Sequence, residues 1–107
     1  MPIYNKLVRD NILEIIKAEG LSYNARILKP DELLAELKAK MIEEAHEFME
    51  AVEKKEVVEE LADILELIHA SLRTYEIDFK ELEAIRKEKK EKRGGFDKAI
   101  YLIEVED

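Results

Sequence analysis

Apolar residues recur at helical spacing almost without a break from Leu33 to Leu72, and that pattern limits the chain to a helical fold. Leu33, Leu34, Leu37, Met41, Phe48 and Val52 mark one amphipathic helix, predicted over about 30–53. Val57, Val58, Leu61, Ile64, Leu65, Ile68 and Leu72 mark a second, over about 56–75. Lys54-Lys55-Glu56 is the connection expected between them, and a link so short returns the second helix antiparallel to the first. Upstream, Leu7, Val8, Ile12, Ile15 and Ile16 predict a helix over about 8–19 that Gly20 ends. Downstream, Asp78 is placed to cap a fourth helix reaching about Lys92, stopped by Gly94-Gly95.

Two segments read as extended. Tyr23, Ala25 and Ile27 alternate with Asn24, Arg26 and Leu28, and the chain alternates again after Phe96. The expected fold is therefore mainly α, an antiparallel bundle of about four helices with a short two-stranded β element pairing segments 22–28 and 97–105. With 107 residues and no linker or repeat, one domain spanning 1–107 is expected.

Composition narrows the function classes. A formal net charge of -8 disfavours binding to a nucleic-acid polymer and leaves a small anionic substrate in need of a cation as intermediary. The absence of cysteine excludes disulfide scaffolds and thiolate metal sites. Neither a membrane-spanning run nor a signal-peptide core is present, so no membrane association and a cytoplasmic location are expected.

Carboxylates dominate the two central helices. Glu44 and Glu47 lie three apart, as do Glu60 and Asp63, and residues three apart share a helix face. Glu47 stands about seven residues before the expected turn and Glu60 about five after it, so at about 1.5 Å per residue the pairs reach similar heights on antiparallel helices. Glu43, Glu47 and Glu44 run into the apolar arc of Leu37, Met41 and Phe48, and Glu60 and Asp63 share their side with Ile64 and Leu67. Glu59, Glu66 and Arg73 face the other way. Acidic groups gathered at a core edge repel one another and lose hydration unless a cation compensates them, and oxygen ligands suit Mg²⁺. In a glutamate-rich chain such pairs also arise as solvated faces.

The sequence Glu43-Glu44-Ala45-His46-Glu47, then Glu60-Leu61-Ala62-Asp63, with Lys40 just upstream, resembles the signature of the all-α nucleoside triphosphate pyrophosphohydrolases, the MazG superfamily. The start Tyr4-Asn5-Lys6-Leu7-Val8-Arg9-Asp10-Asn11-Ile12 and the late Lys92-Arg93-Gly94-Gly95-Phe96 resemble a small single-domain, phosphoribosyl-ATP pyrophosphohydrolase-like branch of house-cleaning enzymes. That branch often has Pro where Leu13 stands. The resemblance implies hydrolysis between the α and β phosphates of a nucleoside triphosphate, giving a monophosphate and pyrophosphate, with Mg²⁺ as cofactor and Mn²⁺ as a substitute. It implies Glu44, Glu47, Glu60 and Asp63 as metal ligands, with Glu43, Glu44 and Glu47 carrying the catalysis; Glu43 would bind a second ion or accept a proton from water. It also implies a homodimer or higher homo-oligomer.

Basic groups are the candidates for phosphate contact: Lys6 and Arg9 near the first helix, Lys92 and Arg93 before the glycine pair, then Lys40 and Arg26. His46 and His69 point away from the acidic set. The wide apolar arc of the central helices also fits another class, a non-catalytic acidic helical module for self-association or partner binding.

Overall fold

The computed structural model describes residues 2–106. Its described residues contain four helices in the order α1 (Ile12–Ala18), α2 (Pro30–Glu50), α3 (Lys54–Tyr75) and α4 (Phe79–Arg93). The chain divides into two compact units, one running to Glu76 and one starting at Ile77. Among the described residues, no helix is long and apolar enough to cross a membrane.

The first unit is built on the α2–α3 hairpin. Pro30 opens α2 at a position where its missing N–H costs nothing, and the Glu32 carboxylate accepts a hydrogen bond from the Lys29 backbone N–H at 3.1 Å. Arg26 holds that same carboxylate through both guanidinium branches, at 3.2 and 2.7 Å, which keeps Glu32 down at about 2. Residues 51–53 make the turn; Ala51 and Glu53 are extended, with ψ of 130° and 146°. Lys54, Lys55 and Glu56, expected as the turn, instead form the first turn of α3. All three are good helix formers, and nothing in them breaks a helix. Glu76, in the left-handed conformation at φ 58°, ends α3.

Among the described residues, Leu37 on α2 and Leu72 on α3 are the buried apolar side chains of the hairpin. Both lie toward its open end, and burying each stabilises the fold by about 2 kcal/mol. Outward-facing Glu59, Glu66 and Arg73 are exposed, and Arg73 pairs with Glu66 at 3.2 Å.

Helix α1 is shorter than its periodicity suggests and begins at Ile12 rather than at residue 8. Its end is a Schellman motif: Leu21 N–H donates to Ile16 C=O and Gly20 N–H to Lys17 C=O, with Gly20 at φ 78°. In the second unit Asp78 caps α4 by accepting from the Lys80 N–H at 3.0 Å.

The expected two-stranded element is absent from the described residues. Segments 22–28 and 97–105 carry no strand, and nearly all their side chains are exposed. Alternation of apolar and polar residues favours extended backbone, but a strand exists only through hydrogen bonds to a partner strand, and an isolated two-stranded ribbon is marginal in water. The fold is thus all-α.

Candidate metal centre

Midway along the hairpin, α2 and α3 present their carboxylates to each other. Oxygens of Glu44, Glu60 and Asp63 lie within 4.8 Å of one another, and so do oxygens of Glu43, Glu44 and Glu47. Glu44 belongs to both sets. Its heptad-like spacing from Leu37 puts it on the buried stripe of α2, and it is 7 % exposed.

Burial leaves this centre with unmet demand. Glu44 Oε2 and Glu60 Oε2 are both buried and have no hydrogen-bond partner. A buried anionic oxygen without a donor is costly, so a proton or a cation is required. Loss of hydration, then the Glu47 charge, then Glu60 and Asp63, push the Glu44 carboxyl up to about 7. Glu60 is raised for the same first reason, followed by its interaction with Glu47. Glu43 behaves differently: loss of hydration pushes it up, but Lys40 and Lys6 together outweigh that, and the net shift is downward.

Among the described residues, three cations reach this acidic centre. Lys40, one turn before Glu44, lies 3.3 Å from Glu43 Oε2 and 3.9 Å from Glu44 Oε1. Lys6 approaches Glu43 Oε1 at 3.4 Å, and Arg9 donates to Asp63 Oδ1 at 2.6 Å. These last two contacts span 37 and 54 residues, and no local sequence signal reports them. Arg26 is engaged with Glu32 instead. Lys92 and Arg93 end α4 in the other unit, where Lys92 pairs with Glu88 at 2.9 Å. His46 is exposed and His69 half-buried, and neither joins the acidic sets.

The donor set fits a hard divalent cation. It consists of carboxylate oxygens alone, held close enough to converge on one ion, whose oxygens would lie at about 2.1 Å for Mg²⁺ or 2.3–2.6 Å for Ca²⁺. Over residues 6–90 the chain matches the family described as phosphoribosyl-ATP pyrophosphohydrolase. The chain belongs to that family. It is a MazG-like, all-α branch of the nucleotide pyrophosphohydrolases, and the match spans both the N-terminal segment carrying Lys6 and Arg9 and the full hairpin. Comparison with curated proteins and with solved structures gave no significant match. The family match covers every carboxylate of both sets and the cations Lys6, Arg9 and Lys40 that reach them.

Proposed function

We propose that the protein is a Mg²⁺-dependent nucleoside triphosphate pyrophosphohydrolase, cleaving between the α and β phosphates to give a nucleoside monophosphate and pyrophosphate, and clearing non-canonical nucleotides. The observation that carries this reading is the pair of buried, unpartnered oxygens on Glu44 and Glu60 inside two overlapping three-carboxylate sets that share Glu44.

Glu44, Glu60 and Asp63 would hold the ion, with Glu47 completing the set from the turn C-terminal to Glu44. When bound, Mg²⁺ supplies charge neutralisation for the phosphates and a water of lowered pKa. Glu43, kept ionised by Lys40 and Lys6, suits a second cation better than a proton, because a depressed pKa makes a weak base. Lys40 fixes the carboxylates of α2, and Lys6 and Arg9 are the basic groups nearest to an incoming phosphate.

The hairpin exposes Ile42, Met49, Val52, Val58 and Leu65. Apolar exposure on that scale supports assembly as a homodimer or higher homo-oligomer. It equally supports the competing reading, a non-catalytic self-association module. Turnover separates them: a panel of canonical and damaged nucleoside triphosphates with Mg²⁺, assayed for pyrophosphate release, gives activity on at least one member if the protein is an enzyme. A folded protein silent across the panel is a module.

A further inference from the structure

Lys6 and Arg9 stand at the acidic centre as counter-ions of the carboxylates. Arg9 Nη2 sits 2.6 Å from Asp63 Oδ1 and Lys6 Nζ 3.4 Å from Glu43 Oε1. Asp63 belongs to the set that converges around Glu44, so the guanidinium holds a carboxylate that a divalent cation would need. A cation drawing on that carboxylate competes with the ion pair already there.

Four observations make that competition productive. Arg9 and Lys6 are half-exposed, at 58 % and 42 %, so their pairs are weak and break readily; Lys40, at 19 %, is packed in place. The segment carrying them, residues 2–11, has no helix or strand of its own and bends at Asn5 with φ 44°, so its side chains can be redirected without unfolding an element. The acidic sets offer carboxylates alone, and Lys6, Arg9 and Lys40 are the cations paired with them, so a divalent ion arriving there competes with side-chain cations. Finally, the planar guanidinium fork fits phosphate as well as carboxylate.

We propose that Lys6 and Arg9 are exchangeable counter-ions: in the metal-free protein they neutralise Glu43 and Asp63, and once the centre is loaded they leave those carboxylates and take the phosphates of the substrate. The inference rests on the metal-centre reading given under Proposed function, and adds an order to it. The phosphate grip is released for use only after the metal has bound. An anionic substrate arriving first meets basic groups already occupied.

Calorimetric titration with Mg²⁺ alone, followed by inorganic pyrophosphate, tests the exchange on the full chain. Arg9→Gln is expected to bind Mg²⁺ about two- to fivefold more tightly than wild type, since an exposed competing pair is removed. The Mg²⁺-loaded variant is expected to bind pyrophosphate about tenfold more weakly, having lost a charge-assisted contact. Arg9→Lys keeps the charge and restores both values toward wild type. In the wild type, amide hydrogen exchange in residues 2–11 rises on adding Mg²⁺ and falls again with pyrophosphate. If Arg9 merely supports Asp63, Arg9→Gln binds Mg²⁺ with equal or lower affinity, and the exchange is overturned; unchanged pyrophosphate binding overturns it too. Lys6→Gln provides the same comparison at Glu43 should Arg9→Gln fail to fold by circular dichroism. No Mg²⁺ binding to the wild type is a distinct failure, because it removes the metal centre itself.

Discussion

Helix α4 and the α2–α3 hairpin are made of the same residues and use them in opposite ways. On α4, Glu83 pairs with Arg86 and Glu88 with Lys92, three and four positions apart, all on a helix that buries nothing. The hydrogen bond from Arg86 holds Glu83 below the usual carboxylate range. On the hairpin, Glu44 meets Glu60 and Asp63 from the facing helix, and burial drives it up to about 7. One glutamate is lowered and the other raised because the first finds its cation locally, in water, and the second, buried itself, finds other carboxylates. Local pairing makes a solvated face; convergence across a packed interface makes a centre that needs a proton or a cation.

The sharpest way to break this comparison is to neutralise the shared carboxylate. Glu44→Gln is expected to lower Mg²⁺-dependent pyrophosphate release by about a thousandfold or more while leaving the fold intact, because it removes an ion ligand and relieves repulsion at once. Its melting temperature without metal should equal or exceed that of wild type. Near-normal turnover in this variant would remove Glu44 from the site. Chelation of divalent metal comes next: activity should vanish with excess EDTA and return with Mg²⁺, and saturating Mg²⁺ should raise the melting temperature by several degrees through preferential binding to the folded state. A melting curve indifferent to Mg²⁺ would leave the carboxylates as an uncompensated cluster.

The pH response of the metal-free protein is a smaller effect with a definite sign. Glu44 has a folded-state pKa near 7 against an ordinary value of 4.5, so between those limits the folded state binds more protons than the unfolded state. Stability from this group is complete below about pH 4.5 and is lost as pH rises through 7. Thermal melts at fixed ionic strength should fall across that window, and Glu44→Gln should flatten the fall. An unchanged slope in the variant would assign the effect to other groups. Least affected should be α4: Arg86→Gln, which breaks the exposed pair with Glu83, is expected to move the melting temperature by about one degree or less. A loss comparable to that from a buried side chain would show that α4 is not the solvated counterpart described above.

How much of this was legible beforehand follows the same division. The helical periods, the Asp78 cap, the Gly20 stop and the three-residue carboxylate spacing are local, and each appears in the structure near its expected place. The turn moved to residues 51–53 because Lys54, Lys55 and Glu56 are good helix formers, and an apolar period that marks a helix does not fix its end residues. The strands at 22–28 and 97–105 failed because alternation specifies a conformation and not a partner.

By itself, then, the sequence determined an acidic, all-helical hairpin with carboxylates on its inner edge, since helix period and residue chemistry are set within a few positions along the chain. Only the tertiary structure decided that Glu44 is buried with an unpartnered oxygen, that it is shared by two carboxylate sets, and that Lys6 and Arg9 close on Glu43 and Asp63 from 37 and 54 residues away. The physical reason is that desolvation and long-range ion pairing belong to surfaces brought together in space, and spacing along a chain does not encode which surfaces meet.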